Sequence, residues 1–275
     1  MKQKKIKYFI CSDIHGFYDE WVDALDKSGF NIKNKDHHII LCGDLLDRGR
    51  QPKECLLFVN KLLKQNRIIC IMGNHELLLN NAISKEYLDD DIDIHNGTTS
   101  TVYDLVGINE HGEDKNGVYI SDYDALKTLS EYSPWTNYYN SCKFYYETPN
   151  YIFVHSWIPQ AKNWRDVNNE VNLNEWIEHG VWDNPFVKWE LNGKSGIDGK
   201  TIVFGHWNTS WAYVQYRGYD KQFLGDFETM YCDENNILHP TVCHDIFKDN
   251  GIIGIDGCTV KSKKVNVLVL NGDEM

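Results

Sequence analysis

The sequence has no apolar run approaching the roughly 18 residues that a membrane-crossing helix needs, so no transmembrane span is expected. None of its eight cysteines forms a C-x-x-C pair, which removes zinc-ribbon and thioredoxin-like readings. Basic residues are in deficit, 28 Lys and Arg against 40 Asp and Glu, for a formal charge of −12. General affinity for nucleic acid or an anionic membrane requires the opposite balance. A phosphate substrate stays compatible, because bound cations reverse the local potential. No linker, repeat or low-complexity tract interrupts the chain, so a single domain over residues 1–275 is expected. The basic start leads into an apolar stretch that Asp13 and His15 cut short, which is not a secretion signal. A cytoplasmic location with reduced thiols is the expectation.

Hydrophobic residues make up 42% and charged residues 25%, enough for a substantial core. The chain is organised around Gly43-Asp44-Leu45-Leu46-Asp47-Arg48-Gly49, which follows the apolar run His38–Cys42. Such a run reads as a buried strand, and ligands of α/β sheets collect at the carboxyl ends of strands. The same plan recurs. Lys7–Cys11 leads to Asp13-Ile14-His15-Gly16, and Arg67–Met72 leads to Gly73-Asn74-His75-Glu76. Helical periods between these runs, including Leu56, Val59, Leu62 and Leu63 behind Pro52, make three β-α units with parallel strands. Tyr151–Val154 then ends in His155, and Thr201–Phe204 ends in Gly205-His206. Ile252–Ile255 and Val265–Leu270 are expected to close the chain, with Asp256-Gly257 as the turn between them.

These residue types suit a pair of divalent cations. Asp44 has two oxygens with which to bridge; Asp13 and His15 complete one ligand set, and Asn74, His155 and His206 the other. Mixed nitrogen and oxygen donors favour Mn, Fe, Zn or Co, with Mn expected first. Two such ions would share a water, ionise it near neutral pH and aim it in line at phosphorus. His75 is then placed to protonate the leaving oxygen, Asp47 to hold its imidazole, and Arg48 to grip two phosphoryl oxygens. The run Asp89-Asp90-Asp91 with Asp93 reads as a solvated loop. Seven of nine tryptophans fall in residues 157–211 and read chiefly as core, with a stacking surface beside the site as the minor reading. Residues 207–250, carrying Arg217, His239 and His244, are expected to be an insertion flanking the site.

In that order, these motifs resemble the calcineurin-like metallophosphoesterases. More narrowly they resemble the phosphoprotein-phosphatase branch, including its bacterial and phage members and the symmetrical diadenosine tetraphosphatases. Residues 6–80 carry the likeness most closely, and 96–104, 145–156, 200–206 and 252–257 more loosely. The resemblance implies an α/β fold of four layers, α/β/β/α, with two mixed β-sheets. It also implies the same roles for Asp13, His15, Asp44, Asp47, Arg48, Asn74, His75, His155 and His206. Three departures stand out. Ser156-Trp157 follows His155 where the family has small residues, and Trp207-Asn208 follows His206 where Thr-Pro is usual. Trp182-Asp183-Asn184-Pro185 occupies the place of a second phosphate-binding arginine, for which Arg165 and Arg217 are the candidates here. The first expectation is a phosphomonoesterase acting on phosphorylated proteins. The second is hydrolysis of nucleotide polyphosphates or nucleic-acid end phosphates. A catalytically silent scaffold is the rival from another class.

Overall fold

The computed structural model describes residues 6–89, 91–217, 230–232, 238–240 and 243–275. In chain order its elements are β1 (Lys7–Cys11), α1 (Tyr18–Lys27), β2 (His37–Leu41), α2 (Pro52–Leu63), β3 (Ile68–Cys70) and α3 (Asn74–Lys85). Four further helices follow: α4 (Ile92–Asn96), α5 (Thr98–Val106), α6 (Asp122–Ser130) and α7 (Ser133–Ser141). The second half holds β4 (Tyr145–Glu147), β5 (Tyr151–Val154), α8 (Glu170–Glu175) with a π-helical turn (Trp176–Gly180), α9 (Pro185–Leu191), β6 (Thr201–Phe204) and α10 (Thr209–Arg217). It ends with β7 (Met230–Cys232), β8 (Leu238–Pro240), β9 (Phe247–Asp249), β10 (Ile252–Gly254), α11 (Thr259–Ser262) and β11 (Leu268–Asn271).

Two mixed sheets result. The first has the order β11-β1-β2-β3, with β1, β2 and β3 parallel and β11 antiparallel to β1. The second has the order β4-β5-β6-β10-β9, its three central strands parallel and both edges antiparallel. Ile10, Ile40, Cys42 and Ile71 of the first sheet pack against Phe153, Val203 and Ile253 of the second. The outer face of the first sheet takes Trp21, Leu56, Val59 and Leu62 from α1 and α2. The outer face of the second takes Trp176, Phe186 and Trp189. Each central strand is therefore covered on both sides, which is why its sequence is a continuous apolar run rather than an alternation. The layering is α/β/β/α, as the motifs led one to expect.

Two expectations are corrected. Asp256-Gly257 does not join a hairpin: β10 lies in the second sheet and β11 in the first, so the chain crosses between layers there. The acidic run is not a solvated loop throughout, since Asp93 is buried and accepts a hydrogen bond from the Asp89 amide at 2.7 Å. Asp90 lies outside the described residues, as do 218–229, 233–237, 241 and 242 of the expected insertion. The His239 side chain likewise lies outside what the structure describes.

Candidate metal centre

The loops after β1, β2, β3, β5 and β6 meet where the parallel strands of both sheets end. The backbone there is unusual. Of twelve non-glycine residues with positive φ among the described residues, six are Asp13, His15, Asp44, Asp47, Arg48 and His206. A residue with a Cβ enters the left-handed region at a cost, and strain of this sort persists where the surroundings hold the chain for a purpose. Asp13 and His15 thus converge through left-handed turns rather than by sharing one face of an extended strand. Glycines admit the approach: a Cβ on Gly43, at φ +83°, would strike the His155 ring, and one on Gly205 would strike the Asp13 carboxylate.

Backbone carbonyls fix the three outer histidines. His15 donates Nδ1–H to Leu46 O at 3.1 Å, His155 donates Nδ1–H to Cys42 O at 2.8 Å, and His206 donates Nε2–H to Trp182 O at 3.1 Å. The remaining ring nitrogens are therefore lone pairs, and all point inward. His155 Nε2 faces His206 Nδ1 at 3.1 Å and Asn74 Oδ1 at 2.9 Å. Asp44 sends Oδ1 to within 3.5 Å of His155 Nε2 and Oδ2 to within 3.7 Å of His15 Nε2. Asp13 Oδ1 lies 4.0 Å from the same His15 nitrogen. Two compact donor groups emerge, His15–Asp44–His75 and Asp44–His155–His206, with Asp44 common to both.

Acceptors aimed at acceptors repel unless a cation lies between them. Burial and the charge of Asp256 push the Asp13 carboxyl well above its ordinary range, and burial with the charge of Asp13 does the same to Asp44. Burial depresses His15 and His155, and brings His206 down to about 4. The donor set is buried carboxyls and neutral imidazoles, the oxygen and nitrogen donors that a divalent cation takes. His206, with its folded pKa lowered, contributes stability that is present above its unfolded value of about 6.5; this is lost as pH falls through about 4. In metal-free protein its ring carbon proton shifts should accordingly stay at neutral-imidazole positions down to that pH. A midpoint near the unfolded value would contradict the buried, carbonyl-fixed tautomer.

Beside this centre His75 donates Nδ1–H to Asp47 Oδ2 at 2.7 Å, and its Nε2 accepts from Arg48 Nη2 at 3.0 Å. Arg48 Nη1 also lies 3.4 Å from His15 Nε2, so one guanidinium caps both rings. Asp47 is fully buried and is held by Thr98, whose hydroxyl donates to Oδ2 at 3.0 Å, and by Thr101, which accepts from its amide at 3.1 Å. Sequence reasoning assigns Thr98 and Thr101 no such role.

It also missed Glu76. Its carboxylate accepts from the amides of Asp44, Leu45 and Gly73 and from the Tyr138 hydroxyl, each at 2.9 Å. One buried side chain thus ties the Asp44 loop to the start of α3, where Asn74 and His75 sit. Its place directly after His75 was the available signal. Tyr138→Phe removes one hydrogen bond to a buried carboxylate and should cost about 2 kcal/mol of stability, read as a lower urea midpoint at unchanged m-value.

Arg165 and Arg217 do not join the site. Arg165 grips Glu147 through two hydrogen bonds of 2.8 Å and reaches Asp198 at 2.7 Å. Glu147 pairs with Ile152 and Asp198 lies just before β6, so this network sits at the opposite edge of the sheet from His155. Arg217 bonds Asp249 at 3.0 Å, beside the turn that precedes β10, again at the far edge. Neither arginine is brought beside Asp44, because local spacing does not reveal which end of a strand an arginine reaches.

The calcineurin-like phosphoesterase family profile matches residues 6–244. Among curated relatives, the bis(5'-nucleosyl)-tetraphosphatase PrpE [asymmetrical] of Bacillus velezensis is 36% identical over 74 residues, 25% of this chain and 30% of that protein. Serine/threonine-protein phosphatase PP1-delta of Caenorhabditis elegans is 39% identical over 69 residues, 24% of this chain and 22% of that one. The chain spans less than a third of the length of either relative. A cold-active protein tyrosine phosphatase structure aligns over 96% of this chain and 73% of its own with a TM-score of 0.54 at 16% identity, which bears on fold alone. Profile, layering and loop motifs agree, and the chain belongs to the calcineurin-like phosphoesterase family.

Proposed function

We propose that the protein is a metal-dependent phosphoester hydrolase whose first substrate class is phosphomonoesters of phosphorylated proteins. The observation that carries this is the convergence of lone pairs and buried carboxylates on Asp44, with His75 and its Asp47 partner alongside. Asp13, His15 and Asp44 would hold one divalent cation, and Asp44, Asn74, His155 and His206 a second, with manganese expected first. When bound, such ions supply electrophilic charge and a nucleophilic water near neutral pH. The chain's own residues do the rest. Arg48 swings from the two imidazoles onto phosphoryl oxygens, which fork geometry suits. That frees His75 Nε2 to carry a proton to the leaving oxygen while Asp47 fixes the ring.

A dedicated acid matters most for a poor leaving group such as a serine or threonine alkoxide, which favours phosphoprotein substrates. The PrpE relatives supply the second reading, hydrolysis of nucleotide polyphosphates. Against the scaffold reading stands the presence in the chain of all nine expected residue types, none of them replaced. Hydrolysis of p-nitrophenyl phosphate with added Mn tests the proposal, followed by phosphopeptides against diadenosine tetraphosphate. A folded protein silent in every divalent metal would overturn it in favour of the scaffold. No helix among the described residues is long and apolar enough to cross a membrane.

A further inference from the structure

Seven tryptophans crowd residues 157–211, and the core accounts for six of them. Trp157, Trp164, Trp176 and Trp189 are buried, while Trp207 and Trp211 pack partly buried against the same cluster. The seventh, Trp182, is 42% exposed and stacks on no other ring among the described residues. A single exposed tryptophan is ordinarily unremarkable on a surface. This one has a second property, since its carbonyl is the atom that holds His206 Nε2 at 3.1 Å. Its backbone is therefore anchored directly against His206.

The strap carrying it is held from both sides. Trp157 donates its amide to Gly180 O at 3.2 Å, Ser156 donates its hydroxyl to Asp183 O, and Asn184 caps α9 through Phe186 and Val187. The Asp183 carboxylate is taken up by Lys188 at 2.8 Å, so the strap's charge is internally paired beside the exposed Trp182. Neither Arg165 nor Arg217 reaches this rim.

We infer that Trp182 is a specificity residue, whose indole stacks on a planar aromatic group carried by the substrate next to the phosphoryl group. The inference rests on the phosphoester-hydrolase reading above and narrows its substrate class. With the backbone of the strap already held, stacking costs only the two side-chain torsions of the indole. Two chemistries supply such a group, the phenyl ring of phosphotyrosine and a nucleobase.

The test compares kcat/KM of wild-type, Trp182→Ala and Trp182→Phe proteins with Mn, on matched phosphotyrosine and phosphoserine peptides and on diadenosine tetraphosphate. Alanine keeps the carbonyl that positions His206, so the indole alone is removed. Relative to phosphoserine peptide, activity on the aromatic substrate should fall about tenfold in Trp182→Ala, mostly through KM, and recover in Trp182→Phe. A fall confined to the phosphotyrosine peptide identifies the phenyl ring, and one confined to the dinucleotide identifies the base. Equal losses on every substrate, or no recovery with phenylalanine, would overturn the stacking role while leaving the hydrolase standing. A wild-type protein that turns over none of them would remove both.

Discussion

Asp44→Asn should lower kcat/KM by about a thousandfold or more and abolish binding at both cation positions at once. Its two oxygens face different histidines, at 3.5 and 3.7 Å, and among the described residues no other side chain belongs to both donor groups. The same substitution should act oppositely on the metal-free fold. Asp13 and Asp44 are both buried, and their folded pKa values are raised above the unfolded ones. A carboxyl of that kind contributes stability that is fully present below its unfolded pKa of about 3.9 and is lost as pH rises through the folded value. Ionising both carboxyls in the dry, empty centre is therefore costly at neutral pH. Asparagine removes one of them and can still accept the His75 amide that Asp44 Oδ1 now accepts at 3.1 Å. Metal-free Asp44→Asn should melt several degrees above metal-free wild type at neutral pH, with the gap closing in acid. Added Mn should reverse the order, because only wild type gains from it. Retention of two equivalents of metal by the variant, measured by elemental analysis, would remove Asp44 as the bridge.

The divided behaviour of Asp44 explains why this site was so legible. Side chains chosen for a cation are poor choices for a core, so Asp13, His15, Asp44, Asn74, His155 and His206 stand out behind apolar strands that would otherwise continue. Parallel strands place their carboxyl ends together, and order along the chain then translates into proximity. What spacing does not encode is the partner across the layers. Glu76, Thr98 and Thr101 act through backbone amides and a shared carboxylate, and their residue types are equally at home in a cap or a turn. The helices α4 to α7 were illegible for a related reason. They are short, rich in Ser, Thr, Asp and Tyr, and stabilised by docking, α5 to α7 on α2 and α3 and α4 on α5, rather than by propensity. Asp256-Gly257 looked like a hairpin turn because strand–turn–strand is the same local pattern whether the second strand returns to its own sheet or crosses to the other.

His75→Asn separates the two chemical parts that the geometry brings together. His75 belongs to a donor group with His15 and Asp44, so a ligand role for it has to be weighed against the acid role. Its contacts favour the acid. Nδ1 is committed to the Asp47 carboxylate at 2.7 Å, where His15, His155 and His206 each bond a backbone carbonyl, and Arg48 sits closer to His75 Nε2, at 3.0 Å, than to His15 Nε2, at 3.4 Å. Nothing similar caps His155, whose free nitrogen meets Asn74 and His206 instead. If His75 is the acid, its loss should leave metal content unchanged and lower turnover of alkyl phosphates by about 10²–10⁴-fold. p-Nitrophenyl phosphate, whose leaving phenolate needs little protonation, should suffer much less. Asp47→Asn should show the same leaving-group signature in weaker form, since it loosens and mis-sets the ring without removing it. A ligand role predicts a different pattern: metal lost from one position and equal damage on good and poor leaving groups. The slope of log kcat against leaving-group pKa, measured beside metal content, decides between them, because only a proton donor makes that slope steeper when it is taken away.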